Sequence, residues 1–306
     1  MDWAAPDVST PVGPPPAPVG SVAPARQTDG AAMRRLGPST AFDILDGAFT
    51  ILRRAPGTIL GLTAIFVVPS QLLAAYMIRN GNAASIFDII ESGDTSLLAN
   101  EQSSSGGDTL LALLATLPPS LALVFVAGGL TKLVSAWQVG HDATIGELLG
   151  GMRRLAWPLV ASLLLVKAAE LVGFMFCVLP ALAVMAWFLV TAPAIAAEGL
   201  GPVEGMRRSA RLASRRFWPV LGIGVLSAIV TLFVGFAIEL VPQLLLWITG
   251  ADTFGWVVAG LAGAITAVLT TPVVAGTAVL TYLDLRVRTE GLDLELDAIN
   301  AFPNSA

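Results

Sequence analysis

Six long runs of apolar residues alternate with short polar segments along the chain. Each run is close to the length of about 20 residues that a helix needs to cross the roughly 30 Å hydrocarbon core of a bilayer. The runs are apolar on all sides, whereas helices of soluble proteins keep a polar face. The pattern therefore predicts an all-α, polytopic membrane protein, a bundle of six transmembrane helices at residues 56–77, 109–130, 156–176, 178–197, 217–238 and 254–280.

A shorter amphipathic segment recurs three times, each time before a membrane span. The copies lie at residues 44–56, 145–158 and 203–219, and each contains a pair of adjacent arginines followed by Trp or Pro. Arginine and tryptophan favour the headgroup level of a bilayer, and proline is tolerated in a first helical turn. We interpret the three segments as amphipathic interfacial helices on the cytoplasmic surface.

Polar tails flank the predicted membrane domain at residues 39–298. Residues 1–38 are rich in Pro and Ala, with five prolines between Pro11 and Pro18. Such a composition buries too little apolar surface to offset the entropy of ordering, so a disordered cytoplasmic tail is predicted. A short C-terminal tail covers residues 299–306.

The overall composition excludes several functional classes. Hydrophobic residues make up 55% of the chain and charged residues 13%, against about 25% charged in soluble domains. A net charge of -5 gives no basic excess for nucleic acid. The chain has one histidine, His141, and one cysteine, Cys177. No catalytic residues, no metal site and no cofactor are therefore predicted.

Basic residues predict the orientation of the bundle. With six spans, 14 of the 17 basic residues fall on one side and only Arg79 on the other, where an acidic loop covers 79–108. Cytoplasmic loops carry the excess of Lys and Arg, so both termini are expected in the cytoplasm. Because Arg greatly outnumbers Lys, which suggests a GC-rich bacterial genome, we expect a multi-pass protein of a bacterial plasma membrane.

Lys167 and Glu170 are the most suggestive polar residues. They fall near the middle of the third span, where an unpaired charge costs several kcal/mol, and their spacing puts them on one helix face. A polar site or ion path is one interpretation, and a self-neutralised pair that only fixes helix packing is the other. Glu239 is an alternative partner for Lys167, although it is expected at the outer interface.

A cluster of arginines lies between the fourth and fifth spans. It could bind anionic lipid headgroups, or it could simply follow the rule that cytoplasmic loops are positive. The cluster consists of Arg207, Arg208, Arg211, Arg215 and Arg216.

Two distant segments together resemble a known family. Pro193 to Gly199, with Glu204 to Ser209 and Arg215 to Trp218, is similar to one half of its signature, and Tyr282 to Asp293 is similar to the other. The opening at 42–56 is also similar. The chain resembles the glycerophosphoryl diester phosphodiesterase membrane-domain family over residues 38–298, in the form of a stand-alone actinobacterial-type member. The resemblance implies the membrane region alone, because the paired histidines and the soluble barrel of the phosphodiesterase are absent.

Two functions remain open on the sequence alone. The leading hypothesis is a non-enzymatic accessory, scaffold or lipid-interacting protein, with the bilayer, anionic lipids and a membrane-protein partner as its contacts. The alternative is a transporter or channel for a lipid-like or small polar substrate, motivated by Lys167, Glu170 and the repeat.

Overall fold

A computed structural model describes residues 40–79, 106–176, 178–249 and 255–291. The predicted disordered tail at 1–38, most of the acidic loop at 79–108, Cys177 and the C-terminal tail at 299–306 lie outside the described residues. Within the described residues the chain is helical and contains no strand. The helices are α1 (Ala41–Arg54), α2 (Pro56–Ile78), α3 (Gly106–Ala115), α4 (Leu117–Gln138), α5 (Ile145–Arg153), α6 (Ala156–Phe176), α7 (Val178–Phe188), α8 (Thr191–Glu198), α9 (Pro202–Ser214), α10 (Phe217–Thr249) and α11 (Gly255–Glu290).

Six stretches of the described helices are long and apolar enough to cross a membrane, as the sequence predicts. They are Pro56–Ile78, Leu110–Gln138, Ala156–Phe176, Leu179–Glu198, Phe217–Leu245 and Gly255–Glu290. Large apolar side chains stand exposed on their outer faces; Leu232 and Phe233, for example, are 70% and 69% exposed. Apolar patches of this extent are rare on soluble monomers. The fold is therefore an all-α, multi-pass membrane bundle.

Three short amphipathic helices, α1, α5 and α9, occupy the positions of the sequence repeat. Each begins with the same kind of cap, because a carboxylate in the first turn accepts a hydrogen bond from the backbone N–H of the residue three positions earlier. Asp43 caps Thr40 at 2.7 Å, Glu147 caps Thr144 at 2.9 Å and Glu204 caps Gly201 at 3.3 Å. Since each helix directly precedes a span that starts from the same side, all three lie at one end of the bundle.

Two prolines explain why the second span is divided into two helices. The helical stretch is divided at Thr116 into α3 and α4, and Pro118 and Pro119 occupy the first turn of α4. A proline in a first turn loses no helical hydrogen bond, because the N–H groups there have no partner within the helix. The division at Thr116 therefore lets the second span contain both prolines without the loss of a helical hydrogen bond.

The fourth span is two helices, α7 and α8, where the sequence predicts one continuous run. The division lies at Leu189 and Val190, and Pro193 is the third residue of α8. Proline has no N–H to donate to the carbonyl of Leu189, and its ring clashes with a carbonyl four residues back. At the division the Trp187 carbonyl accepts a hydrogen bond from the Ser209 hydroxyl of α9 at 2.7 Å instead.

The last two spans are longer than the sequence predicts. Helix α10 continues through Glu239 and Pro242 to Thr249, and α11 continues to Glu290. At about 1.5 Å per residue, the 36 residues of α11 extend well beyond the bilayer core. Its last turns therefore project from the hydrocarbon region beside α9. The helix ends at Gly291, which has a φ of 68° and donates its N–H to the Val287 carbonyl at 3.0 Å, the geometry of a glycine C-cap.

Candidate functional site

A cavity of about 180 Å³, partly open to the surface of the bundle, lies among α4, α6, α11 and the divided fourth span. Most of its wall is apolar, formed by residues such as Leu163, Val166 and Met185. A few polar residues interrupt the wall. They are Ser120, Ser162, Lys167, Glu170 and Thr191.

Lys167 and Glu170 form an ion pair on the wall of this cavity. The Lys167 Nζ donates to the Glu170 carboxylate at 2.8 Å, and each side chain is 31% exposed. Lys167 is about 16 Å along the helix axis from the start of α6 at 1.5 Å per residue, which places it near the middle of the span. The pair therefore neutralises itself and at the same time faces the cavity, so the structure combines features of both sequence interpretations.

The division of the fourth span brings the start of α8 to the same cavity. Phe188, Leu189, Thr191 and Ala192 all line it. Helix α8 has no side chain that caps its first N–H groups. The N-terminal end of a helix carries a partial positive charge, so this end of α8 adds positive potential to the wall.

Thr191 has an unusual environment for a buried hydroxyl. The residue is 4% exposed, and its Oγ1 has no hydrogen-bond partner among the described residues. Buried threonines elsewhere in the bundle, such as Thr63 and Thr131, donate to the carbonyl four residues back at 2.7 Å. For Thr191 that carbonyl belongs to Trp187, beyond the division, where it accepts from Ser209. Unpaired buried polar groups are rare and call for an explanation.

A second polar cluster joins α8, α9 and α11 at the end of the bundle where the amphipathic helices lie. The Arg208 Nε donates to both oxygens of Glu198, at 2.9 and 3.0 Å, and Nη2 donates to Glu290 at 2.7 Å. Nη1 also bonds to Glu290. The Tyr282 hydroxyl donates to Glu198 at 2.7 Å, and the Arg286 Nε donates to Glu290 at 3.2 Å. We name this set of five residues the arginine clasp.

The clasp holds Arg208 in its charged form. Hydrogen bonds to Glu290, and next to Glu198, raise the pKa of the Arg208 guanidinium above its ordinary value in spite of partial burial. The guanidinium presents its donors in a planar fork that suits two carboxylates at once. The clasp therefore ties the end of the half-helix α8 to the end of α11 with a directional, charge-assisted network.

The five arginines of the sequence cluster do not share one environment. Arg208 is committed to the clasp, and Arg216 is half-buried in a small cleft that also includes Asp284. Arg207, Arg211 and Arg215 are exposed. The exposed tryptophans Trp157 and Trp218, 73% and 76% exposed, start the neighbouring spans at the same level. A surface suited to lipid headgroups thus consists of the three exposed arginines, with Arg216 at its edge.

Glu239 lies apart from the cavity. It is half-buried on α10 and is not among the residues that line the cavity. Among the described residues, the ion pair of Lys167 is with Glu170. The His141 Nε2 lies 3.3 Å from the Glu147 carboxylate on an exposed surface. The described residues contain no group of His, Cys, Asp and Glu suited to a metal ion.

Sequence reasoning missed Thr191 and the clasp. Gly199, whose φ is 67°, ends α8. The role of Glu198 depends on Arg208, ten residues away, and on Tyr282, 84 residues away. One signal was available, since all three residues fall within the two segments that carry the family resemblance.

Comparison with known proteins adds one match. The model of a domain of unknown function (DUF7847) matches residues 155–287, which run from the start of α6 almost to the end of α11. The matched region contains Lys167, Glu170 and Thr191, and all of the clasp except Glu290. No curated protein and no solved structure matches the chain.

Proposed function

We propose that this protein binds a small polar or lipid-like molecule within the membrane and acts as a transporter or carrier for it. The observation that carries the proposal is the partly open cavity, which has the Lys167–Glu170 pair and the division of the fourth span on its wall. Ionisable residues at this depth are rare and mark substrate or ion paths in many membrane proteins. Discontinuous spans that meet at mid-membrane are a common way of building such sites.

The ion pair alone would not support this proposal, because a pair that only fixes helix packing can be enclosed by neighbouring side chains. Here both side chains remain partly exposed, and a cavity lies against them. Keeping two charged side chains at a cavity wall within a membrane costs free energy. Binding of a ligand to these side chains would explain why they are present.

The first test is to measure which small molecules remain bound to the purified protein. The protein is extracted in mild detergent, and co-purifying molecules are quantified by mass spectrometry per mole of protein. Val166 lines the cavity, whereas Leu164, two residues away, is 52% exposed on the outer face. We expect the wild type and Leu164→Phe to retain one molecule in about stoichiometric amount, and Val166→Phe to lose it because the added ring occupies the cavity.

Removal of the charges provides a second arm of the same test. A double variant, Lys167→Leu with Glu170→Leu, removes the pair without leaving an unpaired charge, and we expect it to lose the same molecule. Equal retention by all four proteins would contradict the proposal. A stoichiometric protein partner retained by all four would instead favour a scaffold.

A lipid-contact role is a second candidate, favoured by the exposed arginines. Arg207 and Arg211 on α9 are exposed, and so are Arg215, directly after that helix, and Trp218 at the start of α10. Arginine near a membrane surface gains about 1 kcal/mol per residue from anionic lipids. In the same mass spectrometry, a role of this kind predicts retention of anionic phospholipid that survives Val166→Phe.

The proposal also includes the cellular location of the protein and the family to which it belongs. The arginine-rich end fits the cytoplasmic face of a bacterial plasma membrane. Membership of the glycerophosphoryl diester phosphodiesterase membrane-domain family is supported by the contact of its two signature-like segments through Glu198, Arg208 and Tyr282. We expect no phosphodiesterase activity, and hydrolysis of glycerophosphocholine by the purified protein would overturn this expectation.

A further inference from the structure

The polar atoms at the cavity allow its ligand class to be narrowed, an inference that rests on the proposed function. Lys167 has three N–H donors, and one of them is directed to Glu170. The Thr191 hydroxyl has no partner among the described residues. The uncapped start of α8 adds N–H groups and a partial positive charge. This wall therefore offers a ligand several hydrogen-bond donors beside the Glu170 carboxylate.

The charges on the wall favour a negative ligand. Lys167 and Glu170 cancel each other, so the remaining potential comes from the N-terminal end of α8, which is equivalent to about half a positive charge. Helix N-terminal ends bind carboxylates and phosphates readily. The unpartnered hydroxyl of Thr191, the first residue of that helix, is an independent sign that a hydrogen-bonding group belongs beside it.

The volume of the cavity and its apolar wall indicate the size and character of the remainder of the ligand. A cavity of about 150 Å³ in another protein accepts benzene, so the cavity of about 180 Å³ found here accommodates a ring or a short chain with a head group. Leu163, Val166, Met185 and Phe188 supply an apolar lining for that body. A ligand with one polar end and one apolar end fits both parts of the wall.

We propose that the cavity binds a small amphipathic anion, whose carboxylate or phosphate oxygens are held by the Lys167 ammonium, the Thr191 hydroxyl and the N-terminal end of α8. The division at Leu189 and Val190 is then a functional feature, because it exposes the N-terminal end of α8 to the ligand. It also separates Thr191 from the carbonyl to which a threonine in a continuous helix would donate.

Fluorine NMR titrations of the protein in nanodiscs of zwitterionic lipid test this inference. The probes are 4-fluorobenzoate, 4-fluorophenyl phosphate and the neutral 4-fluorobenzamide, with empty nanodiscs to measure partition into lipid. We expect at least one anion to bind about tenfold or more tightly than the amide, the preference that one extra charge-assisted hydrogen bond provides. The tighter of the two anions identifies the head group as carboxylate or phosphate.

Thr191→Val is the decisive variant, and Thr266→Val is its matched control. Thr266 also has a buried hydroxyl without a partner among the described residues, but it does not line the cavity. We expect Thr191→Val to weaken anion binding about tenfold and Thr266→Val to leave it unchanged. The double variant Lys167→Gln with Glu170→Gln should also weaken anion binding, because the Lys167 ammonium is lost, but it should keep part of the preference for anions, because the N-terminal end of α8 remains.

Three outcomes would overturn the inference. They are equal wild-type binding of the amide and the anions, equal effects of Thr191→Val and Thr266→Val, and binding of none of the probes. The proposed function fails by a different result, namely retention of co-purifying molecules that Val166→Phe does not change. A neutral molecule retained by the wild type and lost in Val166→Phe would sustain the proposed function and reject the anion.

Discussion

At the scale of single residues, Arg208 and Arg207 show how neighbours in sequence take different roles. Arg208 is engaged by Glu198 and Glu290, and its side chain is only 17% exposed. Arg207, one position earlier on the same helix, is exposed. Both carry one positive charge and belong to the same arginine cluster, so the sequence alone does not distinguish their roles. Because successive residues of a helix are rotated by about 100°, the two side chains point in different directions.

Replacing each of these arginines by methionine measures the difference. Arg208→Met leaves two partly buried carboxylates without their shared partner, at a cost of about 3 kcal/mol. Because 1 kcal/mol corresponds to about 2–4 °C in a protein of this size, we expect the melting midpoint in detergent to fall by about 6–12 °C. Arg207→Met, the control, should shift it by less than about 2 °C, since isolated exposed charges contribute little. Equal shifts would show that the clasp does not stabilise the bundle.

At the scale of elements, the amphipathic helices pack tightly through small residues. Gly205 of α9 lies so close to α8 that a Cβ there would be 2.3 Å from the Ile195 Cγ1. Gly276 of α11 likewise lies close to α1, since a Cβ at position 276 would be 3.1 Å from the Ala48 Cβ. Small residues permit such close approach of membrane helices. The repeat therefore specifies similar helices, while glycine positions decide how closely each one docks.

Glycine-to-alanine variants at two of the amphipathic helices separate docking from helix propensity. Gly205→Ala places a methyl group against Ile195 and should cost about 1–3 kcal/mol, seen as a lower melting midpoint and weaker probe binding, because α8 must shift. Gly146→Ala in α5, where no atom lies within 4 Å of the added Cβ, should instead gain up to about 1 kcal/mol from helix propensity. A stable Gly205→Ala protein with unchanged binding would contradict this packing.

At the scale of the whole molecule, the six crossings place the described basic residues asymmetrically. Helices α1, α5 and α9 and the end of α11 lie at one end of the bundle and carry nearly all of the described arginines. Arg79, at the end of α2, lies at the other end, where its guanidinium stacks on the Tyr76 ring at 3.7 Å. This asymmetry is the reason why we propose that the arginine-rich end faces the cytoplasm.

Cysteine labelling on intact cells tests the orientation. In a Cys177→Ser background, Val139→Cys reports on the end that carries the arginines, because Val139 is 81% exposed between α4 and α5. Ser103→Cys reports on the acidic loop. We expect an impermeant maleimide to label position 103 but not 139 on intact cells, and both after the cells are opened. Labelling of 139 on intact cells would reverse the orientation.

Two residues of the candidate site, Lys167 and Glu170, could be predicted from the sequence. Lys167 and Glu170 stand out because charges within an apolar run are conspicuous and a three-residue spacing implies a shared helix face. Thr191 does not stand out, because buried threonines are common in these helices and most donate to a carbonyl one turn back. Only the structure shows that its hydroxyl has no partner among the described residues and that the Trp187 carbonyl, one turn back, accepts from Ser209.

The sequence by itself determined the fold class, the six spans and the three amphipathic helices. The length and hydropathy of a segment decide whether it crosses a bilayer, and helical periodicity decides which helices are amphipathic. Both properties can be read along the sequence without knowledge of distant contacts. The tertiary structure alone decided the cavity, the partners of Arg208 and the environment of Thr191. These depend on contacts between residues as far apart as Arg208 and Glu290, 82 positions along the chain, and such contacts arise only when helices pack in three dimensions.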